Sequence, residues 1–165
     1  MSFHLKGRVE WELVDSVTLE KISEGGQDNI LLDNGRRNFI AVSSNAGGWA
    51  LSGGPYICLS SGSYTPDFED MTIPNLHFPL STSAKDSTIT WTPPTVSYTA
   101  SFPSSDSGIL LPRTIPVVGL SQSNPGSQTV TNPNTAVLLA SPIVQGVAQD
   151  LNITYKVTIE KYPDD

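Results

Sequence analysis

The amino-acid sequence predicts an all-β fold, a single-domain antiparallel β-sandwich of jelly-roll or immunoglobulin-like type, with about eight strands over residues 1–165. Three observations carry this. Segment 151–159 alternates strictly, with Leu151, Ile153, Tyr155, Val157 and Ile159 against Asn152, Thr154, Lys156 and Thr158, the pattern of a half-buried strand. The long middle, 41–149, holds few charges and much Ser, Thr, Gly and Pro among Val, Ile and aromatic residues, a composition suited to short strands joined by turns. No segment has the apolar spacing of an ordinary helix.

Taken in order, 5–14 opens the fold with Leu5, Val9, Trp11 and Leu13 on one face and Lys6, Arg8, Glu10 and Glu12 on the other. After an Asp15-Ser16 turn, 17–22 reads as its hairpin partner, ended by Gly25-Gly26. Around Asn34-Gly35 two readings stand: a tight hairpin, or a short helix capped by Asp33 that carries Phe39 and Ile40 into the core. Four glycines and Pro55 make 46–55 a loop, in which Trp49 either offers a contact or folds back over the core. A strand at 56–60 precedes a loop at 61–79. Strands at 87–92 and 96–102 flank Pro93-Pro94, with Trp91 expected in the core, and 109–111, 114–120 and 136–144 add further candidates. Segment 121–134 reads as a long exposed loop.

Composition narrows the function. The formal net charge of -7, with Arg36-Arg37 as the best basic pair, argues against a nucleic-acid surface. The first eight residues place Lys6 and Arg8 where a signal peptide is apolar, and no apolar run approaches membrane-spanning length, so synthesis in the cytoplasm and no membrane partner are expected. Cys58 lies in an apolar run and reads as an inert buried thiol. His4 and His77 lack the spacing of a zinc site, and Asp67, Glu69 and Asp70 lack that of a calcium loop and read as solvated. Ser61-Gly62-Ser63 lacks the frame of a nucleophile elbow, and no phosphate loop occurs. Asn152-Ile153-Thr154 matches a glycosylation sequon but lies within a strand, so it reads as chance. No catalytic residue, metal site or cofactor is assigned, and the expectation is a protein that is not an enzyme.

Several pieces, in their present order, resemble small structural proteins of tailed bacteriophage virions. They are Gly7-Arg8-Val9-Glu10-Trp11-Glu12-Leu13-Val14-Asp15, then Asp28-Asn29-Ile30-Leu31-Leu32-Asp33-Asn34-Gly35, then Ile57-Cys58-Leu59-Ser60-Ser61-Gly62-Ser63-Tyr64-Thr65-Pro66, then Thr114-Ile115-Pro116-Val117-Val118-Gly119-Leu120, and the closing strand. The chain departs from such proteins at Ser60-Ser61-Gly62, where Gly-x-Gly is usual, and at Val117 or Val118, where an acidic residue is common. The resemblance implies a β-rich virion part, made in the host cytoplasm without a signal peptide and mounted on the capsid, neck or tail as a decoration, cement or adaptor protein. It favours the helix reading after Asn34-Gly35, as at most one short helix near 36–42, and implies other virion proteins as partners and a homo-oligomer such as a trimer or ring. Long connections usually carry function, which makes Gly48, Trp49 and Gly53, with Tyr64, the expected interface. The contrasting expectation is a carbohydrate- or receptor-binding module of a tail fibre or tail tip, with Trp49 and Tyr64 stacking on a host glycan.

Overall fold

A computed structural model describes residues 3–29, 55–67, 72–121, 123–131 and 133–161. Within them run eleven strands: β1 (Phe3–Asp15), β2 (Lys21–Asn29), β3 (Tyr56–Ser60), β4 (Thr72–Ile73), β5 (Ala84–Asp86), β6 (Thr88–Thr92), β7 (Thr95–Phe102), β8 (Arg113–Ser121), β9 (Val130–Thr131), β10 (Pro133–Gln145) and β11 (Gln149–Lys161). A 3-10 turn at Leu80–Thr82 precedes β5, and no α-helix occurs among the described residues. The strands pair antiparallel into a five-stranded sheet, β2-β1-β11-β7-β6, and a four-stranded sheet, β10-β8-β3-β5. Their facing sides enclose the main core, so the all-β sandwich holds, with more strands than the eight expected.

Alternation explains the core directly. The register aligns Val9, Tyr155, Tyr98 and Ile89 across four neighbouring strands, all on the inner face, and Trp11, Ile153 and Ala100 form the next row. From the other sheet Ile57, Leu59, Ile115, Val118 and Leu120 pack against them. The four-stranded sheet is covered on its outer side as well. There β4 and β9 pair, and Ile73, Leu76 and Val130 bury Cys58, Val117 and Ala136. Gly119 permits this close layer, because a side chain there would collide with Ile73.

Four expectations are corrected. Gly25 and Gly26 do not end the second strand; they lie inside β2, which begins only at Lys21. Gly25 faces Trp11, whose indole Cζ2 stands 2.6 Å from where a Cβ would be, and Gly26 faces Glu10 beside the Arg8 guanidinium. Segment 109–111 is no strand: Ile109 N–H closes a turn on the Asp106 carbonyl, with Gly108 at φ 78, a conformation glycine adopts freely. The loops expected at 61–79 and 121–134 contain β4 and β9, because two apolar residues suffice to cap the outer face. Trp91 is 55 % exposed, since β6 is an edge strand and its neighbour on one side only is β7. The helix expected near 36–42, both readings around Asn34-Gly35 and the loop at 46–55 lie outside the described residues.

Gln27 is among the polar side chains that join the two sheets. The pairing of β10 with β8 is irregular between Leu138 and Ile143. There the Gln27 amide, reaching from β2, donates to the Leu138 carbonyl at 2.7 Å and accepts the Ala140 N–H at 2.7 Å. The side-chain amide thus replaces a peptide group the irregular strand lacks.

Candidate functional site

Gly48, Trp49 and Gly53 lie outside the described residues, as do Glu69 and Asp70. Tyr64 is half-buried, its ring packed against the outer apolar cluster and its hydroxyl shielded from solvent. Asp67 is exposed, and among the described residues no three His, Cys, Asp or Glu side chains gather as a metal set. Cys58 is fully buried, and desolvation pushes its thiol up to about 12, far from a nucleophile at neutral pH. A thiol reagent should therefore label Cys58 only on unfolding; fast labelling of native protein, followed by mass spectrometry, would contradict this.

The strand register brings a set of loops to one end of the sandwich. Asp15 pairs with Gln149, Leu151 with Phe102 and Gln145 with Arg113, so the β1–β2, β7–β8 and β10–β11 connections leave the sheets together. They are tied in sequence. Ser16 N–H donates to the Ala148 carbonyl at 2.9 Å. Ser104 donates from its N–H and its hydroxyl to Asp150 Oδ1, at 2.8 and 3.0 Å. Lys85 meets Asp106 at 2.7 Å, and Gly108 packs against Pro79.

Arg113 braces this end from beneath. It is buried, yet its Nε donates to Gln145 Oε1 at 2.9 Å, and Nη1 and Nη2 donate to Thr82 Oγ1 and the Thr82 carbonyl at 3.3 and 3.0 Å. Gln145 passes the link on by donating to the Phe102 and Gln149 carbonyls. Burial lowers the guanidinium to about 10, with Asp106 opposing the shift, so the group stays charged at neutral pH. At the tip, Asp15 Oδ1 accepts the N–H groups of Val17 and Thr18, each at 2.9 Å, and shapes the turn that presents Val17 and Leu19.

What this end presents is apolar. Of the eight large apolar side chains exposed among the described residues, seven lie on or beside these loops: Val17, Leu19, Ile22, Phe78, Leu110, Val144 and Val147. Their exposure runs from 49 % for Ile22 to 85 % for Val17. Exposed apolar residues are ordinarily scattered singly. Here seven of them share one braced end of the sandwich. Sequence reasoning had placed Val17 and Leu19 on a strand face and Leu110 in a strand; the Asp15-Ser16 turn signal and Gly108 were the cues that they sit in turns.

The outer face of the five-stranded sheet is of another kind. An open groove of about 660 Å³ runs across it, lined by Arg8, Glu10, Glu12, Glu24, Thr99, Asn152 and Thr154, with Trp11 and Gly25 between them. Ion pairs cross it: Lys156 with Glu10 at 2.9 Å, Arg8 with Asp28 at 3.0 Å and Lys21 with Glu24 at 2.8 Å. Asn152, the sequon residue, donates to Glu12 at 3.2 Å. The charges are matched and solvated, so each pair contributes little to stability.

These contacts set a pH dependence. Lys156 holds Glu10 below the usual carboxylate range, Arg8 does so for Asp28, and the N–H groups of Thr18 and Val17 do so for Asp15. Burial likewise lowers His77, whose Nε2–H donates to the Thr114 carbonyl at 2.8 Å. In each case the folded state binds fewer protons than the unfolded one, so stability is full above the unfolded pKa and is lost as pH falls through the folded value. Melting temperature should fall first below about pH 6.5, from His77, and again below about pH 4, from the carboxylates. His77→Gln should flatten only the first step; an unchanged profile would contradict the assignment.

No family model, curated protein or solved structure matches the chain.

Proposed function

We propose that the protein is a non-enzymatic structural component of a tailed-phage virion, mounted by its loop end on the capsid, neck or tail as a decoration, cement or adaptor protein. The observation that carries the reading is the segregation of exposed apolar side chains to one braced end, with Val17, Leu19, Val147, Leu110 and Phe78 at its tip. Such a cluster is stable in water only at a cost that burial against a partner removes, at roughly 25 cal/mol per Å² of apolar surface covered. The bracing through Arg113, Gln145 and Asp150 supports the same reading, because loops already fixed lose little entropy on docking. The phage character of the partner rests on the ordered sequence pieces that resemble small virion proteins.

Mass spectrometry of purified particles of the phage encoding the chain tests this. The protein should be present in fixed stoichiometry and resist removal by salt, since the contact is apolar. Its absence from particles, or binding of the free chain to host glycans without stable attachment, would replace the structural role.

A further inference from the structure

Among the described residues the two sheets have four edges, and three are guarded against pairing with another chain. On β2 lie Lys21, Glu24 and Asp28 with two glycines; β5 has three residues, including Lys85 and Asp86; β10 carries Pro133, Pro142 and the irregular stretch clamped by Gln27. Strand β6 has none of these devices. Its five residues, Thr88-Ile89-Thr90-Trp91-Thr92, contain no charge and no proline, and they pair with β7 without a bulge. They are strong strand formers.

The sequence of β6 is also self-complementary. Laid antiparallel on a second copy about a two-fold axis through Thr90, Thr88 meets Thr92, Ile89 meets Trp91, and Thr90 meets itself. Ile89 and Trp91 share the inner face, where Ile89 already packs on the core and Trp91 stands 55 % exposed, so two Ile–Trp pairs would extend the core across the seam. The threonines share the outer face and would continue a row of hydroxyl contacts already present within the sheet, Thr95 to Thr158 at 2.8 Å and Thr99 to Thr154 at 3.4 Å. Charge favours the same edge. The chain carries a net charge of -7, which repels a second copy, yet 87–105 contains no Asp, Glu, Lys or Arg.

We propose that β6 is the self-association edge of the protein, pairing with β6 of a second copy and joining two five-stranded sheets into one. The contact is isologous and closes on itself, giving a dimer in place of the trimer or ring implied by the phage resemblance. It leaves the loop end free. The inference does not rest on the virion reading, because dimerisation is measured on the purified chain without particles.

Sedimentation equilibrium of the full chain should show a monomer–dimer equilibrium. Thr90→Lys, at an exposed position, sets two like charges opposite each other and should raise the dissociation constant roughly tenfold or more with the melt of the monomer unchanged. Val147→Lys, at the loop end, should leave the equilibrium alone. Cysteine cross-linking reads the register, since opposed residues of an antiparallel pair come within disulfide range and Cys58 is buried. Thr90→Cys should oxidise to a covalent dimer; Thr88→Cys and Thr92→Cys should cross-link only when mixed. A monomer throughout, a trimer, a dimer indifferent to Thr90→Lys, or equal cross-linking of Thr88→Cys alone would each overturn the proposal.

Discussion

Tyr155→Asp should cost roughly 4 kcal/mol or more, enough to leave much of the chain unfolded at room temperature. Tyr155 is fully buried between Val9 and Tyr98, and its hydroxyl lies 3.3 Å from Thr135 Oγ1. Aspartate would leave most of the ring volume empty and bury a carboxylate in an apolar core. A change three residues on separates register from mere strand damage: Thr158→Asp faces outward, opposite Lys6, and should cost under about 1 kcal/mol. Denaturant titration of both variants decides it. Equal losses would mean that the inward and outward faces of β11 are misassigned.

Arg113→Ala should destabilise by about 2–4 kcal/mol, and its effect should concentrate at the loop end. The substitution removes three hydrogen bonds and leaves Gln145 Oε1 and the Thr82 carbonyl buried without the donor they now have. Arg113→Met keeps the apolar stem and removes a desolvated charge that makes no ion pair among the described residues, so it should cost less than the alanine. Hydrogen exchange should show faster opening at 103–112 and 146–149 in the alanine variant, with the β1–β11 ladder protected as before. Uniform loss of protection would mean that Arg113 supports the whole core, not the end.

Strands with a wet face and a dry one were legible in the sequence, because their partners only had to share a period of two. Leu5, Val9, Trp11 and Leu13, and Leu151, Ile153, Tyr155 and Val157, fall on the predicted faces. Residues whose role is set by a distant partner were not legible. Gly25 and Gly26 resembled a stop signal because the indole and guanidinium above them come from β1, and β4 and β9 are too short to carry a period. Nothing local marks Arg113 as a buried brace, since its acceptors Thr82 and Gln145 stand about thirty positions away on either side. Of the site residues expected, Tyr64 turned inward, while the apolar tip came from Val17, Leu19, Phe78, Leu110 and Val147, which local patterning assigned to strands or passed over.

The virion docking proposed for the loop end is tested most directly by the occupancy of assembled particles. Phage lacking the gene would be complemented with the wild-type chain or with Val17→Asp/Leu19→Asp, and the bound copies counted by quantitative mass spectrometry. Both residues are exposed, so the isolated variant should melt as the wild type does. The account predicts that its occupancy falls by roughly tenfold or more. Full occupancy by the folded variant would contradict it.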